Sequence, residues 1–225
     1  MSWIDADWPD SEVAGYGKQK FGGLKSLVEK ANRREAKPSV VYIAKEMKDE
    51  KSLEKFERSV FGDEKVALGA RFFRCFRLEA KDIPDQASRE KYEKLAPAVI
   101  CFDEKGEEIA TYTGTIDANG VLTRLDKSFN EVYEPKFQAH LAKFLDFLQR
   151  YERAEDKLAN FKKRIEDVEK QLEKENGKCD GCTRALAEAK AREEEAKKEI
   201  AKLNEEKEKF LAPAKKSDPK TPVKN

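Results

Sequence analysis

Residues 95–109 read Leu95-Ala96-Pro97-Ala98-Val99-Ile100-Cys101-Phe102-Asp103-Glu104-Lys105-Gly106-Glu107-Glu108-Ile109, and their order decides the architecture. Ala98 to Phe102 is an unbroken apolar run containing β-branched Val99 and Ile100, the pattern of a strand covered on both faces. Asp103-Glu104-Lys105-Gly106 is a short glycine-containing loop, so the chain turns straight back into another strand. There Ile109, Thr111 and Thr113 alternate with Ala110 and Tyr112. Pro97 opens the first strand of this hairpin, where its tertiary amide makes a cis bond accessible.

Working outward, the flanking text alternates helix and strand. Phe21, Leu24, Leu27, Val28 and Ala31 share a helical face that ends before Lys37-Pro38. Val40-Val41-Tyr42-Ile43-Ala44 is a second buried-strand pattern. Leu53, Phe56, Val60 and Phe61 predict a helix closed by Gly62, and Phe72 to Leu78 predict a strand whose Arg74 and Arg77 suit a sheet edge. Asp82 to Asp85 forms a turn, and Ser88 is the expected cap of a helix carrying Tyr92 and Leu95. Past the hairpin, Gly114 and Gly120 punctuate the chain before a helix expected to begin near Val132. The result is an α/β domain, β-α-β-α-β-β-α with an extra first helix, built on a mixed four-stranded sheet.

That order, with Leu95 to Ile109 as its most specific stretch, resembles the thioredoxin-like fold over residues 21–148. The resemblance makes Pro97 the family's cis-proline, which stands beside the active cysteines and shapes a groove for an extended partner. In the family the first strand–helix junction carries Cys-x-x-Cys, with its first thiol activated at a helix N-terminus. Here the matching text is Ala44-Lys45-Glu46-Met47-Lys48-Asp49-Glu50-Lys51, without cysteine, serine or histidine. The resemblance therefore implies the fold and a peptide groove lined by Ala96, Pro97, Lys45, Glu46, Met47 and Lys48, but not disulfide exchange at that corner. Cys75 and Cys101 lie in apolar strands that, in the family's topology, flank the first strand without pairing, and they read as small buried hydrophobes. A catalytic Cys101 beside Pro97 is the alternative. His140, among Phe137, Leu141 and Phe144, has no companions at metal spacing. Trp3 and Trp8 read as anchors for the N-terminal segment.

The C-terminal third changes character. From Tyr151 to Leu211 it is rich in Glu, Lys, Arg, Ala and Leu, the composition of long helices. Phe144, Leu148, Tyr151, Leu158, Phe161, Ile165, Val168 and Leu172 form a heptad seam, which resumes at Leu186, Ala189, Glu193, Ala196, Ile200, Leu203, Lys207 and Phe210. Between the two runs, Asn176-Gly177 and Asp180-Gly181 break the helix, with Gly177 suited to its end and Asp180 to the next N-cap. Folding the runs back brings Leu172 level with Leu186, Leu158 with Ile200 and Tyr151 with Lys207. Large residues then oppose small ones, Phe161 facing Ala196 and Val168 facing Ala189. The predicted arm is an antiparallel coiled-coil hairpin. Half of each stripe stays uncovered, so a homodimer through the hairpins is expected.

The predicted tip carries Cys179-Asp180-Gly181-Cys182. Four readings stay open. Two thiolates from each of two chains would complete a tetrahedral zinc site, which resembles the zinc hook of DNA-repair ATPases, although that family usually has proline after the first cysteine. The pair could instead be redox-active, with Cys182 near a helix N-terminus as the reactive thiolate, a simple local disulfide, or two thiols without a task.

Composition narrows the classes. Lys plus Arg number 46 against 45 Asp plus Glu, a net charge of +1, so no basic field marks a nucleic-acid groove. No run approaches the roughly 18 apolar residues of a membrane span. The opening Met-Ser-Trp-Ile-Asp-Ala-Asp-Trp lacks the blocks of a signal peptide, so a cytoplasmic location is expected. The organisation expected is an N-terminal segment (1–20) packed on an α/β domain (21–150), a hairpin (151–211) and a disordered Pro/Lys tail (212–225). The function expected is a non-catalytic binding or assembly module, serving a protein or peptide client, whose tip cysteines clamp through metal or disulfide. The rival is a thiol–disulfide oxidoreductase using Cys179 and Cys182.

Overall fold

Val40, Val41, Tyr42 and Ile43 are fully buried in β1 (Ser39–Ala44), which lies inside a four-stranded sheet. The computed structural model describes Met1, Trp3, Ile4 and residues 23–33, 36–45, 50–176 and 178–216. The sheet order is β2-β1-β3-β4, with β2 (Arg74–Glu79) parallel to β1, and β3 (Ala98–Phe102) antiparallel to it. β4 (Glu108–Thr113) runs antiparallel to β3, with one extra residue, Ile109, where the register shifts. The parallel β1–β2 pair needs a crossover. α2 (Glu50–Phe61) and α3 (Glu64–Gly69) supply it.

Because side chains alternate across a strand, β1 serves two layers. Val41 and Ile43 join Phe76, Leu78, Ile100 and Phe102 in a core covered by Leu24, Leu27 and Val28 of α1 (Leu24–Asn32) and Tyr92 of α4 (Gln86–Leu95). Val40 and Tyr42 face the other way with Cys75 and Cys101, toward α2, α3 and α5 (Ala118–Val132). Trp3 packs on Tyr42 and Phe61 with ring centroids 5.9 and 5.0 Å away, and the Ile4 N–H donates to the Cys75 carbonyl at 2.8 Å. Trp3 is thus the anchor expected of it. Trp8, like most of 1–20, lies outside the described residues.

Three local expectations are corrected. The helix expected to begin near Val132 begins at Phe137, and the helix before it, α5, was not expected: it begins at Ala118, where Asp117 accepts the Gly120 N–H at 2.8 Å. Glycine fits that first turn because a Cβ would lie 2.3 Å from the Tyr112 ring. α4 is capped by Asp85, which accepts the Ser88 N–H at 2.7 Å, so Ser88 sits inside the helix. The six-residue α3, capped by Asp63, was not expected at all. The edge position expected for Arg74 and Arg77 holds, and Arg77 Nε donates to Glu57 at 2.8 Å.

Two compact units emerge. One takes in the described residues up to Leu141 and again from Pro213 to Lys216; the other is Ala142–Ala212. Residues 213–216 therefore do not share the disorder expected of 212–225. Lys215 bridges to Tyr133, Glu134 N–H donates to the Ala214 carbonyl at 2.9 Å, and Lys215 Nζ reaches Glu104 at 2.8 Å. In the same unit Phe137, at the start of α6 (Phe137–Lys174), and His140 surround Phe72 together with Phe129. His140 is a packed ring in this cluster.

The second unit is the helical hairpin, formed by α6 and α7 (Asp180–Leu211). Ala154, Cys182, Ala189, Ala196 and Leu203 are buried, and Leu158, Phe161, Ile165, Val168, Leu172, Leu186 and Ile200 are half-buried. These are positions of the predicted seam, with Ala154 and Cys182 continuing it. Tyr151 meets Lys207, whose Nζ lies 5.9 Å from the ring centre, while Phe210 packs on Phe144 and Phe147. Lys157–Glu199 and Lys190–Glu169 pairs cross between the helices.

Phe72→Ala removes a buried ring that touches Phe129, Phe137 and His140. The expected cost is about 3–5 kcal/mol, a fall in Tm on the order of 10 °C. Calorimetry showing an unchanged Tm would contradict this packing.

Candidate functional site

Two places carry the residues singled out by sequence, one in each unit. In the α/β unit the register sets Ile43 opposite Ala98, so Pro97 stands beside Ala44, at the end of β1. The Ala96–Pro97 peptide is cis. Ala96 and Pro97 are half-buried and Lys45 is exposed. Glu46, Met47 and Lys48 lie outside the described residues. No cysteine occurs in residues 44–51, since the chain's cysteines are at positions 75, 101, 179 and 182.

Cys75 and Cys101 are each the register partner of Val40, one on either side of β1. Two strand spacings separate them, roughly 9–10 Å, beyond the reach of a disulfide. Burial pushes the Cys75 thiol up to about 12 and the Cys101 thiol up to about 11. Each stays a neutral thiol at physiological pH, so neither is a nucleophile. This agrees with the reading of both as core residues and gives no support to a catalytic Cys101.

In the hairpin unit Cys179 and Cys182 are joined by a disulfide, with Cα atoms 5.2 Å apart. The first helix ends at Lys174, and Asn176 takes a positive φ of 50°. The second begins with Cys179 as its N-cap, where Asp180 was expected. Sulfur does the work usually done by an Asp or Ser oxygen: Cys179 Sγ accepts the Cys182 N–H at 3.2 Å. The Cys179 carbonyl also accepts the Thr183 N–H at 3.0 Å.

The two sulfurs are not equivalent. Cys182 is 7% exposed and lies one heptad before buried Ala189, whereas Cys179 is half-buried and followed by exposed Asp180 and Gly181. A Cβ on Gly181 would meet no atom within 4 Å, so that side of the loop is open. The N-terminus of α7 thus lies at Cys179, the N-cap, and not at Cys182, where it was expected. As residues, the more exposed Cys179 and the buried Cys182 have the asymmetry that sequential thiol–disulfide exchange uses. Among the described residues of the single chain no group of three or more His, Cys, Asp or Glu side chains is arranged to hold an ion; a site shared between two chains would need only two from each.

No helix among the described residues is long and apolar enough to cross a membrane. No protein-family model matches the chain, and no curated protein matches it.

A thiol titration checks these assignments. Native protein without reductant should show no reactive thiol at pH 8, gentle reduction should release two, and denaturant with reductant four. A fast-reacting thiol in the oxidised native chain would show that Cys75 or Cys101 is accessible.

Proposed function

We propose that the chain is a thiol–disulfide exchange protein in which Cys179 and Cys182 are the reacting pair. The observation that carries this is the closed Cys-x-x-Cys capping α7, with Cys182 shielded and the Cys179–Gly181 side open. In the reduced form the Cys179 thiolate attacks a client disulfide and releases one client thiolate. The Cys182 thiolate then attacks Cys179 Sγ in the mixed disulfide, expelling the second. The client gains two electrons and two protons, and the protein returns to the disulfide form.

The α/β unit, on this reading, is a thioredoxin-like domain that docks a protein client without reacting with it. Support comes from the order β2-β1-β3-β4 with β3 opposed to the other strands, and from Pro97 beside the end of β1. A cytoplasmic location accords with this, because disulfides there are typically transient and catalytic.

A catalysed rate of insulin reduction by dithiothreitol tests the proposal. Cys179→Ser should lower that rate at least tenfold. Cys182→Ser should lower turnover similarly while accumulating a mixed disulfide through Cys179. A rate indifferent to both substitutions would sink the exchange reading.

A second reading rests on the half-buried Leu158, Phe161, Ile165, Val168 and Leu172, which leave apolar surface for a partner helix pair. The hairpins would then form a homodimer, clamped by zinc shared between the reduced cysteines of two chains or by interchain disulfides. Light scattering and metal analysis of the reduced protein would find a dimer with one zinc per two chains. Cys179→Ser together with Cys182→Ser should release the metal. A metal-free monomer would reject this reading and leave the exchange proposal standing.

A further inference from the structure

The sheet has two edges, and they are treated differently. The β2 edge is covered at its centre by Ile4, which bridges to Phe76 and bonds to the Cys75 carbonyl. β4 pairs only with β3 among the described residues, so every second residue turns its backbone N–H and C=O outward. Natural edges are usually blunted by lysine, proline or a bulge. β4 contains neither residue, and its bulge at Ile109 leaves Ala110–Thr113 regular.

Beside this open stretch, a cavity of about 280 Å³ lies between β4 and α5, lined by Ala110, Thr111, Thr123, Arg124 and Lys127. Ala110 contributes little bulk, leaving room above the strand. Arg124 and Lys127 sit one helical turn apart and form no ion pair among the described residues. The Arg124 guanidinium lies 4.6 Å from the Tyr112 ring centre, and the Tyr112 hydroxyl donates to the Thr115 carbonyl and Asp117. Asp117, whose charge interacts with Arg124, also caps α5, while Glu108 accepts from Thr111 and Asp126 from Asn130.

We propose that the groove between β4 and α5 docks an extended acidic peptide, which adds a fifth strand to the sheet along Ala110–Thr113 and places carboxylates against Arg124 and Lys127. Backbone pairing supplies affinity that is indifferent to sequence, and the two cations select for acidic side chains. The chain's own end is an unsuitable occupant, since Lys215, Lys216, Lys220 and Lys224 make it basic. This site is separate from the cysteine pair and does not depend on the exchange reading.

Fluorescence anisotropy with the full chain tests the proposal. The probes are a labelled ten-residue peptide alternating Val or Thr with Glu, the same peptide with Lys for Glu, and the Glu peptide N-methylated at every second residue. The Glu peptide should bind at least tenfold more tightly than either control, and more weakly as salt rises. Arg124→Glu with Lys127→Glu should cost it at least tenfold and reverse the preference toward the Lys peptide. Equal binding of the Glu and Lys peptides would overturn the proposal. Undiminished binding of the N-methylated peptide, or competition by inorganic phosphate alone, would remove strand addition. The peptide comparisons decide the matter even should the doubly substituted chain fail to fold.

Discussion

Everything in the α/β unit depends on β1 being covered on both faces and paired on both edges. A strand in that position has no route to water for its backbone, so both of its ladders have to form. It also exposes no side chain, which explains why Val40 to Ile43 are uniformly apolar. The parallel neighbour on one side and the antiparallel neighbour on the other then fix where the connections run. The same enclosure isolates Cys75 from Cys101, because β1 itself is the barrier between them. The sheet thus takes two of the four cysteines, Cys75 and Cys101, into its core.

The two buried strands and the hairpin arm were legible because their signals are periodic. Val40–Ala44 and Ala98–Phe102 are unbroken apolar runs, and the seam from Leu158 to Leu203 repeats over several heptads. What stayed hidden lacked a pattern of that kind. α5 was obscured by Gly120, which reads as a breaker but occupies a first turn pressed against Tyr112. Without α5 in place, Arg124 and Lys127 could not be assigned to one helix face, and the groove beside β4 had no sequence signature. Residues 213–216 are held by main-chain bonds to Val132 and Glu134 and by the Lys215 and Lys216 ammonium groups, and lysines in a Pro/Lys-rich stretch do not announce such contacts.

The cysteine pair shows a similar division. Two thiols three apart between helix breakers marked the end of the arm, and the structure bears out that location. Which residue caps the following helix was not evident, because sulfur is a weak acceptor and Asp180 has the stronger capping preference. Cys179 takes the cap because the disulfide ties its sulfur next to the Cys182 N–H. Bond and cap therefore stand together at one residue, and opening the first alters the second.

The chain leaves the α/β unit along one helix and rejoins it at Pro213, so the arm is an excursion held at both ends and not an appendix. Its heptads are interchangeable units: deleting or inserting one in each helix shifts the sulfur pair by about 10 Å along the hairpin axis while preserving the seam. Evolution can thus retune the hairpin's own length by matched seven-residue steps, without renegotiating a single contact of the sheet.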